Sequence, residues 1–248
     1  MPGSPTSNHV QVLRDLTLAD EHLMICFCGW NRESDVDTQV LLKAVEKIVR
    51  IKLQMGDQHR ISLAREQGST LVVEQEFTRN VAALLAAVPT VLGSASHGDM
   101  VDLEALLADA ARYFSAQRDM ERKATSSFRL LLVYRQSTQR PQLHVAQQEE
   151  PNQFITDPVF HLDVIYWHRD VPLELAQHVF DELCSYDNAN PLAKFYFLEV
   201  GGSVERLHQA LVLMLSHPAH RLSQSAAEQL LSSRFSPSKT IDSLGQQD

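Results

Sequence analysis

The sequence predicts an α/β protein with a doubly wound, mostly parallel sheet that has an antiparallel edge. Residues 23–28 form a continuous apolar run, which is typical of a strand buried on both faces of a parallel sheet. Strands and amphipathic helices then alternate along the chain, as they do in doubly wound folds. Residues 60–66 and 69–75 alternate between apolar and polar residues around Gln67-Gly68, and this pattern predicts the antiparallel hairpin.

The first half of the chain contains three predicted helices besides the hairpin. Apolar residues recur at helical spacing over 35–55, and Gly56 ends that helix. Thr78 is expected to cap a helix that runs to Val88 before Pro89. A third helix opens at Asp99 or Asp102 and carries its apolar face to Phe114.

The second half supplies the remaining strands and helices. A long polar connection over 135–158, with a short helix around 147–154, separates the central strands. The predicted strands are 128–134, 159–167 and 194–200. The predicted helices are 172–186, 203–216 and a weak one near 225–231. This order divides the chain into a disordered lead (1–20), one domain (21–216) and a C-terminal tail (217–248).

The composition excludes several classes of function. The net charge of -9 argues against a nucleic-acid surface, because phosphate binding needs a basic field. The three cysteines are too few for a disulfide framework and indicate a reducing compartment. No apolar run approaches the roughly 20 residues of a membrane span. We therefore expect a soluble intracellular protein without membrane or direct nucleic-acid partners.

Few residues have the spacing of a catalytic or metal site. Cys26 and Cys28 lie on one face of a strand, but no second pair stands at zinc spacing, so we interpret them as core residues. His217 and His220 flank Pro218, which breaks the helical geometry that two ligands would need. The turn at 201–203 lacks the rest of a phosphate-binding motif, and Ser203 is read as a helix cap.

Asp163 is a charged residue inside an otherwise apolar predicted strand. A buried carboxylate must be paired, and pairing with an arginine is the favoured interpretation over catalysis. No nucleophile with a base and an orienting group is evident at the strand ends, so the chain is not expected to be an enzyme.

The strand order resembles that of the von Willebrand factor type A fold. The first strand of that family ends in Asp-x-Ser-x-Ser, which holds Mg²⁺ with residues of later loops. Here the corresponding positions are Cys28-Gly29-Trp30-Asn31-Arg32, and the strand ending at Tyr134 offers no aspartate. Mg²⁺ needs hard oxygen ligands, so Cys28, Trp30 and Arg32 mark a degenerate site, and neither a metal nor a cofactor is expected.

Three segments resemble the von Willebrand A-like scaffold subunit of the BRISC and BRCA-A deubiquitinase complexes. They are 128–134 with Pro141-Gln142, then 158–168, and then 205–208 with 215–225. The resemblance implies a non-catalytic adaptor that binds the BRE subunit directly. It also implies a complex with a JAMM zinc deubiquitinase and its Abraxas-type MPN scaffold. In this complex the deubiquitinase cleaves ubiquitin chains linked through lysine sixty-three.

The same resemblance implies a role in the DNA damage response and a location in cytoplasm and nucleus. Its Pro-x-x-Arg element matches Pro218 and Arg221, so these residues, with His217 and His220, are the expected partner-binding set. Two alternatives stay open. One is a von Willebrand A-like protein-binding subunit of another repair, transcription or proteasome complex, and the other is an α/β enzyme with unfamiliar catalytic residues.

Overall fold

A computed structural model describes residues 20–30, 35–68, 70–93, 101–121, 126–135, 157, 159–186, 195–218 and 221–234. Several predictions fall outside this part of the chain. They are the disordered lead up to residue 19, Asp99, the short helix at 147–154, and Arg32 and His220 among the candidate site residues.

A six-stranded sheet forms the centre of the molecule. Its strands are β1 (Glu21–Cys28), β2 (Arg60–Gln67), β3 (Thr70–Thr78), β4 (Ser127–Tyr134), β5 (Phe160–Trp167) and β6 (Tyr196–Val200). Their order across the sheet is β3-β2-β1-β4-β5-β6. All neighbouring pairs are parallel except β2 and β3, which form the hairpin. The predicted doubly wound sheet with an antiparallel edge is confirmed.

Six helices within the described residues cover the two faces of this sheet. They are α1 (Asp35–Met55), α2 (Val81–Gly93), α3 (Leu103–Glu121), α4 (Leu173–Cys184), α5 (Val204–Leu213) and α6 (Gln224–Arg234). Apolar residues of α1, α2, α5 and α6 pack in one hydrophobic core, and those of α3 and α4 pack in the other. Every residue of β1, β4 and β5 is buried between them, which explains the continuous apolar runs.

The parallel strands give the sheet two ends. We call the end where β1, β4, β5 and β6 begin the amino edge, and the end where they finish the carboxyl edge. Side chains alternate between faces along each strand, so one face of β5 carries His161 and Asp163 while Leu162 and Val164 lie on the other. The charged strand residues therefore share the face covered by α1 and α5.

The helix over 81–93 differs from its predicted form at both ends. Asn80, not Thr78, is the cap, because its side-chain Oδ1 accepts from the backbone N–H of Ala83 at 3.1 Å. The helix also continues past Pro89 to Gly93. Pro89 is exposed, so the backbone carbonyl that its missing N–H leaves unpaired lies on the solvent side.

The segment after α5 belongs to the sheet, contrary to the predicted domain boundary at residue 216. The Gln224 side-chain amide accepts from the backbone N–H of Phe197 at 2.9 Å and donates to its carbonyl at 2.8 Å. It thus pairs with the outer edge of β6 as a neighbouring strand would. Tyr196 Oη donates to the carbonyl of Leu222 at 3.0 Å, and Ala227 is buried in the core. The predicted tail over 217–248 therefore does not begin at residue 217, because residues 222, 224 and 227 contact the sheet or its core.

The interior position of β5 gives a test of the fold. Val164 is fully buried between two strands in the core shared with α3 and α4. We expect Val164→Ala to lower the free energy of unfolding by roughly 1 to 3 kcal/mol, because it removes buried methyl groups and leaves a cavity. Urea unfolding followed by circular dichroism measures the loss, and an unchanged midpoint would contradict a central place for β5.

Candidate functional site

The carboxyl edge is where the resemblance predicts a degenerate metal site, and it holds aromatic and cationic side chains. Cys28 is fully buried at the end of β1, with its Sγ 3.8 Å from Sγ of Cys26. Trp30 follows in the turn and is 3% exposed. Its ring lies 5.7 Å from that of Trp167, the last residue of β5. The predicted core position of both cysteines is confirmed.

Arg135 occupies the centre of this edge. It follows β4, and its guanidinium carbon lies 4.6 Å from the ring centre of Trp30 and 5.1 Å from that of Trp167. The guanidinium also pairs with the buried carboxylate of Asp37 near the start of α1. Arg169 reaches the other oxygen of that carboxylate at 3.0 Å. Two guanidinium groups therefore share one carboxylate.

These residues do not fit a Mg²⁺ ion. A hard divalent cation needs an array of oxygen ligands, and Asp37, the one carboxylate of this cluster, is already shared by two arginines. The Cys26 contact and burial raise the pKa of Cys28, which keeps its thiol protonated. Among the described residues, no group of three or more His, Cys, Asp or Glu side chains is arranged to hold a metal ion.

A second cluster of charges lies at the amino edge, and it is almost completely buried. Glu21, at the start of β1, pairs with Lys52 of α1 and with Arg129 of β4. Lys52 Nζ and Arg129 Nη1 also donate to the carbonyls of Leu215 and Ser216 at 3.2 and 3.1 Å. These carbonyls follow the end of α5, where backbone oxygens favour a nearby positive charge.

Asp163 joins this cluster to the C-terminal segment. Its two carboxylate oxygens accept from Nη1 and Nη2 of Arg221, a bidentate pair in which both side chains are buried. Asp163 also lies 3.4 Å from Nη1 of Arg129 and accepts from the backbone N–H of Tyr196 at 3.0 Å. The prediction that Asp163 pairs with an arginine is confirmed. We call Glu21, Lys52, Arg129, Asp163 and Arg221 the amino-edge network.

The network holds the carboxylate of Glu21 ionised. Burial alone would raise the pKa of Glu21, but the charges of Arg129 and Lys52 outweigh burial and lower this pKa to about 2. Burial likewise opposes the charge of Arg221, whose pKa is nevertheless raised because Asp163 accepts its hydrogen bonds. Burial lowers the pKa values of Lys52 and Arg129, and the charge of Glu21 opposes this effect for both. Three basic and two acidic side chains thus share a site without solvent, and removing Arg221 would leave Asp163 without its bidentate partner.

His161 is a neutral neighbour of this network. It is 5% exposed, and neither ring nitrogen has a hydrogen-bond partner within the described parts of the chain. Burial and the nearby charges of Arg221 and His217 lower its pKa to about 3. The ring therefore stays uncharged down to strongly acidic pH.

The structure corrects the expected partner-binding set. Pro218 is buried and Arg221 is 3% exposed, so the arginine fork predicted to meet a partner carboxylate meets Asp163 instead. His217 is half-buried, and its Nε2 lies 3.2 Å from Oγ of Ser127. Whether any of these residues contacts a partner stays a prediction, but Arg221 does not present its guanidinium to solvent.

The Ser127 and His217 pair has the distance of a nucleophile and its base, and the surroundings do not suit that chemistry. Ser127 is fully buried at the start of β4, so a substrate carbonyl cannot reach its hydroxyl. Its backbone N–H donates to the carbonyl of Asp20 and is not free to bind an oxyanion. The pair is best described as a hydrogen bond that fastens the segment after α5 to the sheet.

The role of Arg221 was missed because it follows a polar, proline-containing segment that reads as a surface tail. One signal in the sequence indicates it. The predicted strands contain the acidic residue Asp163 and the basic residue Arg129, and the acidic Glu21 lies two residues before the first predicted strand. Two buried carboxylates with one strand cation require further positive charge from elsewhere in the chain.

Comparison with known proteins gives the fold. No family model and no curated protein matches the sequence. The structure is similar to the TFIIH p34 N-terminal domain, with a TM-score of 0.52, 11% identity, and coverage of 78% of this chain and 96% of that one. It is also similar to proximal thread matrix protein 1 from the mussel byssus, with a TM-score of 0.51, 10% identity, and coverage of 81% of this chain and 46% of that one.

The SpRpn10 VWA domain aligns over 83% of this chain and 98% of its own, with 15% identity and a TM-score of 0.46. Identities this low concern the fold and not the family. The two structures with TM-scores above 0.5 share the fold of this chain, whose strand order is β3-β2-β1-β4-β5-β6. The chain therefore has a von Willebrand factor A-like fold, without the ligand set of its metal site among the described residues.

Removal of Arg221 tests its place in the core. We expect Arg221→Ala to lower the free energy of unfolding by about 3 to 5 kcal/mol, because it leaves the Asp163 carboxylate buried without its bidentate partner. Urea unfolding measures the change. Arg206→Ala on the exposed face of α5 is the matched control and should shift stability by about 0.5 kcal/mol or less. Equal stability of the two variants would mean that Arg221 lies at the surface and not in the core.

His161 makes a second prediction, on pH dependence. Its folded pKa of about 3 lies below the ordinary value of 6.5, so between these values the unfolded chain binds the extra proton. Stability therefore falls as the pH drops from 6.5, by up to about 1.4 kcal/mol per pH unit from this group. In His161→Leu the free energy of unfolding should therefore fall less steeply between pH 6.5 and 4.5, by up to about 1.4 kcal/mol per pH unit.

Urea midpoints measured at half-unit pH steps give this slope. The window stops at pH 4.5 because Glu21, with a folded pKa of about 2, adds its own loss of stability below that value. The same slope in wild type and variant would mean that His161 titrates normally in the folded chain.

Proposed function

We propose that this chain is a non-catalytic scaffold subunit that binds the BRE subunit of a deubiquitinase complex. In that complex a JAMM zinc protease, with its Abraxas-type MPN scaffold, cleaves ubiquitin chains linked through lysine sixty-three. The chain supplies rigid surface to the assembly and takes no part in the cleavage. Its sites of action are the cytoplasm and the nucleus, including the response to DNA damage.

One observation carries the proposal. The three sequence segments that resemble the BRISC and BRCA-A scaffold subunit lie far apart in the chain, and each contributes one residue to the amino-edge network. Arg129 belongs to the first segment, Asp163 to the second and Arg221 to the third. Asp163 contacts both arginines. The resemblance thus traces one connected structural unit, and not three unrelated matches.

The chemistry of the described residues supports a non-catalytic role. The cysteine at the carboxyl edge is buried and keeps its proton, and the serine next to a histidine at the amino edge is inaccessible. The carboxylates of the amino-edge network are all held by arginine or lysine, which leaves no free acid or base there. Charges arranged in this way fix a surface and do not transfer protons.

Because the side chain of Arg221 is buried, a partner would have to contact another residue of this segment. The Asp163 pair holds the segment after α5 against the amino edge, and the side chain of Leu222 then lies outside, 51% exposed. Its backbone carbonyl is fixed by Tyr196. A large apolar side chain on a segment fixed at its backbone is suited to bury area against a partner at little entropic cost. Leu222 therefore replaces Arg221 as the expected contact.

Binding to a purified BRE-type subunit tests the proposal. We expect Leu222→Asp to weaken binding at least tenfold, which is about 1.4 kcal/mol, because a desolvated carboxylate would oppose an apolar contact. Its melting temperature should equal that of wild type, since the residue makes no core contact. Isothermal titration calorimetry gives the affinity, and differential scanning calorimetry gives the melting temperature.

Leu173→Asp is the matched control. Leu173 is 81% exposed and starts α4, a helix of the opposite sheet face. This variant should bind as wild type does. Full binding by Leu222→Asp would reject the contact at Leu222. No binding by wild type would reject the scaffold role in this complex, and affinity purification would then identify the assembly that the chain joins.

A further inference from the structure

Two neighbouring helices, α1 and α5, expose large apolar side chains that the proposed contact at Leu222 does not use. Ile51 is 43% exposed, Met55 is 54% exposed and Val212 is 61% exposed. Seven large apolar side chains are exposed within the described residues, and three of the seven lie on these two helices. Single exposed apolar residues are common on protein surfaces, but a group of them on adjacent elements indicates an interaction surface.

Two contacts show how the helices are aligned. α1 and α5 pack against each other on the same face of the sheet. Lys52 Nζ donates to the carbonyl of Leu215, just after α5, at 3.2 Å. Further back along both helices, burial and the charge of Lys47 lower the pKa of His208, which places these two side chains near each other. The two helices therefore run in the same direction, with residue 47 beside 208 and residue 52 beside 215.

The exposed apolar side chains continue this line of contact. Ile51 follows Lys47 by four residues, and Val212 follows His208 by four, so each lies one turn further along on the same side of its helix. Met55 follows Ile51 by the same step. Ile51 and Val212 thus flank the seam between the helices, and Met55 extends it toward the amino edge. We call this surface the α1–α5 groove.

Basic side chains border the groove. Between residues 43 and 50, α1 exposes Lys43, Lys47 and Arg50, which lie three or four residues from one another. The same stretch carries one acid, Glu46, which pairs with Arg50 at 2.8 Å. Three cations and one carboxylate leave a local surplus of two positive charges, on a chain whose net charge is -9. The charge of this border is therefore opposite to that of the molecule as a whole.

We infer that the α1–α5 groove binds an amphipathic helix of a protein partner, with acidic side chains beside its apolar row. From residue 47 to residue 55 the groove extends over about 12 Å, because a helix rises 1.5 Å per residue. This length matches about two turns of a third helix, whose apolar residues at positions i, i+3 or i+4, and i+7 would meet the three exposed side chains. The basic border would pair with the acidic flanks of that helix.

The charge of the border also argues against other occupants. A second copy of this chain, related by a two-fold axis, would place the same surface against itself and bring positive charges together. An anionic membrane would attract the border but would repel a chain with a net charge of -9. An acidic helix satisfies the apolar residues and the basic border together. This inference does not rest on the BRE contact, so either can fail without the other.

A model peptide tests the groove. The probe is a fluorescein-labelled peptide of about 18 residues, since shorter isolated helices are marginal in water. It carries leucine along one side, glutamate on both flanks of that side, and alanine and glutamine on the back. The comparison peptide has lysine in place of every glutamate. The full chain is titrated into each peptide, and fluorescence anisotropy follows binding. We expect saturable binding of the glutamate peptide in the micromolar range and binding of the lysine peptide that is weaker by about tenfold or more.

Three variants assign the binding to the groove. Val212→Glu places a charge in the apolar row and should raise the dissociation constant of the glutamate peptide by about tenfold, with the melting temperature unchanged. Lys47→Glu should weaken binding of the glutamate peptide and strengthen binding of the lysine peptide, a gain that a folding defect cannot produce. Leu173→Glu, on α4 of the opposite sheet face, is the matched control and should bind both peptides as wild type does.

Four outcomes would overturn the inference. No saturable binding by wild type, or equal binding by Val212→Glu, would reject the groove as the site. Tighter binding to phosphatidylserine vesicles than to the glutamate peptide would replace the protein helix by a membrane. A wild-type dimer in analytical ultracentrifugation that Val212→Glu dissociates would make a second copy of the chain the occupant.

Discussion

The pairing of Asp163 with Arg221 joins the middle of the sheet to a segment that the sequence alone places outside it. Asp163 sits inside β5 with no access to water, so its charge depends on what the neighbouring elements supply. Arg221 supplies two hydrogen bonds, and Arg129 and the backbone of Tyr196 supply the others. Because Arg129 also holds Glu21, the same contacts fix the starts of β1, β4 and β6 and the end of α5.

The two ends of the sheet use related chemistry for different purposes. At the amino edge, the cations and carboxylates are shielded from solvent and pair with one another and with backbone carbonyls, while Nε of Arg129 has no acceptor among the described residues. At the carboxyl edge, Arg135 and Arg169 share the buried carboxylate of Asp37, and both arginines keep contact with solvent. The first arrangement suits a rigid anchor. The second keeps two guanidinium groups around one carboxylate within reach of solvent.

The sequence indicates the fold well because the strands are buried on both faces and their apolar runs are continuous. The buried pairing of Asp163 also follows from the sequence, since a carboxylate inside such a run has no alternative. The identity of its partner does not follow, because Arg221 is distant in the chain and its neighbours have the polarity of a surface loop. The position of Arg135 beside the rings of Trp30 and Trp167 does not follow from the sequence either, because it depends on how two loops meet after folding. Contacts between residues that are far apart in the chain produce no periodic pattern in the local sequence, so local patterns do not predict them.

The long sequence separation within the amino-edge network bears on how the chain is made. Arg221 follows Asp163 by 58 residues, so β5 leaves the ribosome well before the side chain that neutralises it. Until then the sheet would hold an uncompensated carboxylate and an uncovered β6 edge, where Gln224 later pairs with Phe197. Synthesis proceeds at about 5 to 20 residues per second, so this interval lasts on the order of seconds. The last stage of sheet formation therefore waits for the segment that carries Arg221 and Gln224.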